Sequence, residues 1–122
     1  MLLLLLIAAQ VSGAETWVNV GGEKEMLVDT SSIGVLNDGR IIFWEMHRAD
    51  ISSSGIAWGR NLVVGYCGES TVDIEAMRGY DANQKYVDSD AKTRVLTLGD
   101  SSLLGVARDW VCDHVRVKPV VH

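Results

Sequence analysis

The residues with chemically active side chains are few and scattered. A serine nucleophile needs a histidine base and an orienting acid. Gly99-Asp100-Ser101-Ser102 supplies serines beside an acid, but His47, His114 and His122 sit in no recognisable motif. Helix capping explains the same segment, because Asp100 or a serine accepts backbone N–H groups at a helix start. Asp88-Ser89-Asp90 offers carboxylates to calcium, which takes six to eight oxygens. No third acid follows at the required spacing, so this stretch reads as a solvated loop. Asp73 and Glu75 fall on one face of an alternating strand and could act as an acid pair; on an outward face they serve solubility. His47 could titrate near neutrality or bind a ligand, and at the end of an apolar strand beside Arg48 it reads as a surface-edge histidine. Trp58 lies in a Ser/Gly-rich stretch two residues before Arg60, and Trp and Arg dominate binding hot spots. Trp58 and Arg60 are therefore the candidate ligand-binding residues, with packing on a sheet rim as the alternative for Trp58. No catalytic set assembles, and the chain reads as a non-enzyme without cofactor. Cys67 has no histidine neighbour, so no metal site is expected either.

The remaining reactive pair, Cys67 and Cys112, takes its meaning from the start of the chain. Leu2 to Ala9 is an apolar run of signal-peptide length, far short of the roughly 20 residues that span a membrane. Ser12-Gly13-Ala14 places small residues at a cleavage site, although no Lys or Arg precedes the run. Residues 1–14 are expected to be a signal peptide, and 15–122 one domain of about 108 residues. The alternative is a buried N-terminal helix. Export leads to the periplasm, the cell surface or the extracellular space, where two cysteines pair. A Cys67–Cys112 disulfide would close a loop of about 45 residues, worth about 4 kcal/mol by chain entropy. Two buried free thiols are the alternative.

The formal net charge is −5, and basic residues are scattered along the chain without forming a cluster. Nucleic acid and anionic lipid are poor partners for such a chain. No second apolar stretch approaches membrane length.

Most of the domain alternates as strands do. Thr16–Val20 and Glu25–Asp29 flank Gly21-Gly22 and predict a hairpin. Thr30-Ser31-Ser32 follows as a polar corner in which hydroxyls and the Asp29 carboxylate take local N–H groups. After the Asn37-Asp38-Gly39 turn, Arg40–Arg48 is the longest apolar run. Its Ile42, Trp44 and Met46 face one way, and Ile41, Phe43, Glu45 and His47 the other. Asp50–Gly59 reads as a mobile loop carrying Trp58. Arg60–Cys67 is a strand with Val63, Gly65 and Cys67 on one face and Leu62, Val64 and Tyr66 on the other. Thr71–Tyr80 alternates with Val72, Ile74 and Ala76 inward, Asp81–Lys92 is a long polar loop, and Arg94–Leu98 is a last strand. Leu103, Leu104, Ala107, Trp110 and Val111 keep helical spacing, so a helix is expected near Ser102–Asp113, with an extended tail over Val115–Pro119. The fold class is α+β: an antiparallel sheet of about six strands with a C-terminal helix packed on it and one disulfide. The central strands are apolar on both faces, so loops or a second copy of the chain, as a homodimer, should cover the face the helix leaves open.

The order of landmarks resembles the surface-adhesin protein E family of small exported bacterial proteins. It runs from Trp17 through Asp29-Thr30-Ser31-Ser32-Ile33 and Phe43-Trp44 to Cys67 and Cys112, and covers about residues 16 to 113. The resemblance implies a six-stranded antiparallel sheet with a C-terminal helix, an envelope or surface location, and adhesion to a protein ligand. No ligand-binding motif matches residue by residue, and the lipid-attachment cysteine of an anchored adhesin is absent after the leader. The function expected is a non-enzymatic, protein-binding, adhesin-like module. A periplasmic inhibitor or accessory subunit of an envelope enzyme is the alternative, and would present a projecting loop at Asp50–Gly59 or Asp81–Lys92.

Overall fold

The alternation in the sequence produces an antiparallel sheet, and two interruptions in that alternation shape it. The computed structural model describes residues 15–49, 55–90, 93–99 and 102–116. The expected signal peptide, half of the expected 50–59 loop and most of the tail lie outside them. The elements are β1 (Trp17–Asn19), β2 (Met26–Asp29), a 3-10 turn (Thr30–Ser32), β3 (Gly34–Val35), β4 (Ile41–Arg48), β5 (Trp58–Gly65), β6 (Thr71–Tyr80), β7 (Tyr86–Asp90), β8 (Arg94–Thr97) and α1 (Leu103–Val115).

The described residues form eight strands, not about six. The path β1-β2-β4-β5-β6-β7 holds six strands; β3 pairs with β4 and β8 with β6. In effect β2 and β3 are pieces of one strand position along β4, and β7 and β8 are pieces of one along β6. A polar corner breaks the first. Asp29 caps the 3-10 turn, and its Oδ1 accepts from Ser31 N (3.0 Å), Ser31 Oγ (2.7 Å) and Thr16 N (2.9 Å). The Ser32 hydroxyl accepts from Trp44 N at 2.9 Å and donates to the Asp29 carbonyl at 2.7 Å, replacing the ladder bond that the corner removes. The expected β1–β2 hairpin and corner are both present.

Two expectations are corrected. The segment 81–92 is not one long loop. The Asp81 carboxylate accepts from Asn83 N and Lys85 N, tightening the chain into a turn that feeds β7. Asp88-Ser89-Asp90 is thus strand, not a calcium loop, and Asp90 pairs with Arg94 at 2.7 Å. Trp58 is not a loop residue either. It opens β5 opposite Arg48 and Tyr80. Its strand partners fix it where composition alone suggested mobility.

The helix covers one face of the sheet. Val28, Ile41, Phe43, Val63, Val72 and Ile74 from the strands meet Leu104, Ala107, Val111 and Cys112 from α1 in one buried cluster. Ser102 caps α1, its Oγ accepting from Gly105 N at 3.4 Å. Cys67 and Cys112 are disulfide-bonded with their Cα atoms 6.0 Å apart, within the usual span for such a bridge. Arg108, nearly buried, reaches from the helix to the carbonyls of Tyr66 (3.4 Å) and Glu69 (2.6 Å) beside Cys67. The helix is therefore held to the end of β5 by one covalent bond and one charged side chain. No described helix is long and apolar enough to cross a membrane.

Candidate functional site

No described helix lies on the second face of the sheet. Residues directly opposite in an antiparallel pair share a face, so the register defines what this face carries. One row runs Arg48, Trp58, Tyr80, Tyr86; the next runs Met46, Arg60, Arg78, Ser89; the next runs Trp44, Leu62, Ala76. Trp17 lies opposite Asp29 at the β1 edge, on the same side as Leu27 and Met46. The apolar strand centres expected on both faces are real. Met46 and Val64 are buried on the side without the helix.

Long side chains lie flat over them. The Arg60 guanidinium sits 3.9 Å from the Tyr80 ring centre and 4.9 Å from that of Trp17. Arg78 lies 4.7 Å over Trp44, and Arg48 lies 4.3 Å over Trp58. Such stacking favours a cation by about 0.5–2 kcal/mol each, more as water is excluded. The aliphatic stems cover apolar surface while the charged ends stay near solvent. This layer covers part of the face that loops or a second copy were expected to cover.

A bulge in β6 builds the platform. Leu62 faces Ala76 and Val63 faces Ile74, leaving Glu75 as an extra residue. Simple alternation would put Ala76 and Arg78 with Val72 and Ile74 on the helix side. The bulge instead turns Ala76, Arg78 and Tyr80 to the open side. It also breaks the expected Asp73–Glu75 pair, because the two no longer occupy successive positions of a regular strand.

Trp58 and Arg60, the two residues singled out from the sequence, are therefore brought together on one face. Trp17, Trp44, Arg48, Arg78 and Tyr80, which surround them, were not singled out as binding residues; Trp17 and Trp44 entered only as landmarks of the family resemblance. Cross-strand register, which no single chain segment states, supplies the rest.

At the centre is a crevice of about 40 Å³ lined by Glu15, Trp17, Asp29, Trp44, Arg60, Arg78 and Tyr80. The Arg60 side chain is 11% exposed. Its Nη1 donates to Glu15 Oε2 (3.3 Å) and Oε1 (3.4 Å), and its Nη2 to Gln84 Oε1 at 3.1 Å. Its Nε is buried with no hydrogen-bond partner among the described residues. Arg78 is exposed and forms no ion pair among the described residues.

On the helix side, beyond the helix, the fully buried Glu45 accepts from Asn61 Nδ2 and lies 3.0 Å from His47 Nδ1. His47, near the end of β4 and about a third exposed, turns its ring toward a buried carboxylate that needs a partner. Gly59 leaves room for that ring, since a Cβ there would stand 2.8 Å from His47 Nε2. His47 and Asn61 border a hollow of about 250 Å³ whose wall also includes Asp88, Ser89 and Asp90. No group of three or more metal-ligating side chains occurs among the described residues.

No family model matches the chain, and neither a curated protein nor a solved structure does.

Proposed function

We propose that this chain is an exported, non-enzymatic, protein-binding module of the protein E type. The observation that carries the reading is the sheet face opposite α1, where three arginines stack on four aromatic side chains with no described helix over them. Trp, Tyr and Arg in a partly dry, preorganised array are the residues that dominate protein recognition. The disulfide supports an oxidising compartment, periplasmic or outside the cell. The order Trp17, Asp29–Ile33, Trp44, Cys67, Cys112 on an antiparallel sheet with a C-terminal helix agrees with the layout that suggested the family. The inhibitor alternative loses one support, since Asp81–Lys85 is a tight turn and not a projecting loop.

Export is tested on the protein recovered from source cells by intact-mass measurement. A chain starting at Glu15, with the two cysteines oxidised and located outside the cytoplasm, is expected. Full-length reduced protein in the cytosol would remove the reading. Protease treatment of intact cells then separates the two locations, because only a surface protein is lost while a periplasmic control survives.

A further inference from the structure

The crevice at the centre of the open face already holds a carboxylate, and that carboxylate belongs to the chain itself. Glu15 Oε1 accepts from Trp17 Nε1 at 3.2 Å, and both its oxygens meet Arg60 Nη1. Glu15 is half exposed and lies at the margin of the sheet, so nothing packs it rigidly in place. The Asp29 Oδ1 facing the same crevice is engaged by the corner, where it accepts from Thr16 N, Ser31 N and Ser31 Oγ. Arg78 stacks on Trp44 with no carboxylate of its own, and Arg60 keeps a buried unpartnered Nε. Two guanidinium groups thus line a crevice in which a single exposed internal acid is available to them.

We propose that this crevice binds the carboxylate side chain of an acidic segment of a partner protein, forked by Arg78 and Arg60, with Glu15 as the internal group it displaces. The inference rests on the open face being the binding surface. Charge complementarity selects an anion once Glu15 is displaced, because Arg78 has no ion-pair partner among the described residues and the Asp29 carboxylate is taken up by the corner. Planar guanidinium groups fork carboxylates well, and stacking on Trp44, Trp17 and Tyr80 fixes their planes in advance. Size selects a slim ligand. About 40 Å³ admits one carboxylate or a water, not a sugar ring. The aromatic rim formed by Trp58, Tyr80 and Tyr86 then offers ring faces to the residues on either side of the acid.

The test is fluorescence-anisotropy binding of a labelled hexaglutamate peptide to the oxidised protein, with its glutamine counterpart and trigalacturonate as comparisons. Saturable binding of hexaglutamate is expected, with loss in about 0.5 M salt as charges are screened. Arg78→Gln is expected to lower the urea midpoint slightly, through the lost stacking on Trp44, and to weaken binding of the still-folded protein about tenfold. Glu15→Ala is expected to tighten it severalfold, because the internal competitor is gone. Indifference to Arg78→Gln, weaker binding in Glu15→Ala, or tighter binding of trigalacturonate would each overturn the proposal. So would failure of hexaglutamate to bind, which would leave the crevice to water. If partner contacts at the open face are nevertheless found in cells, only the ligand class is wrong. If they are absent, the surface itself is wrong.

Discussion

Replacing Cys67 and Cys112 together with serine is expected to lower the unfolding free energy by about 4 kcal/mol. The bridge spans 45 residues of sequence. Cutting it frees the unfolded chain to explore conformations that a closed loop of this length denies it. The loop contains all of β6, β7 and β8, so the cost falls on the half of the sheet that carries Arg78 and Tyr80. Net stabilities of single domains are about 5–15 kcal/mol, so a loss of this size leaves little margin. Arg108 still ties α1 to Tyr66 and Glu69, and the apolar cluster stays the same, so the serine variant should fold in the cold. Urea titration of the oxidised protein and the double variant measures the difference. Equal midpoints would mean that the unfolded chain is already compact around this loop.

The second large effect is expected from Asp29→Ala, at about 2–3 kcal/mol. One carboxylate oxygen there receives three donors, and hydrogen bonds to charged groups contribute about 1.5–3 kcal/mol each before water replaces them. Thr16 and Ser31 sit near the surface, so water recovers part of the loss. The consequence reaches the binding face. Thr16 N is fastened to Asp29, and β1, with Glu15 and Trp17, depends on that fastening to stay beside Arg60. Asp29→Asn keeps the acceptor oxygen and should lose clearly less. Urea midpoints rank the three proteins. A variant order in which Asn falls as far as Ala would assign the effect to charge and not to the hydrogen-bonded corner.

Strand identity and facing were legible wherever alternation was regular. In β4 the split between Ile41, Phe43, Glu45 and Ile42, Trp44, Met46 is the one the structure contains, because a strand buried on one side must keep period two. In β5 the faces of Val63 and Leu62 also agree. The helix, its serine cap and the cysteine pairing were legible for similar local reasons. Beyond Ile74 alternation misled. One extra residue, Glu75, reverses the facing of everything after it, and a bulge leaves no mark that a polar residue on a regular strand would not leave. Tyr86–Asp90 read as loop because its side chains are polar or exposed, which an edge strand tolerates. The site was half legible. Trp58 and Arg60 stood out by type, whereas Arg48, Arg78, Trp17, Trp44 and Tyr80 join them only through register across five strands.

The claim that the open face is where a partner docks is tested by photo-crosslinking in the source cells. A benzophenone amino acid is placed at Tyr86, exposed at the rim of that face, or at Val106, exposed on the helix. The account predicts one discrete, ultraviolet-dependent protein adduct from position 86 and none from position 106. Adducts from position 106 with none from position 86 would contradict it and move the binding surface to the helix.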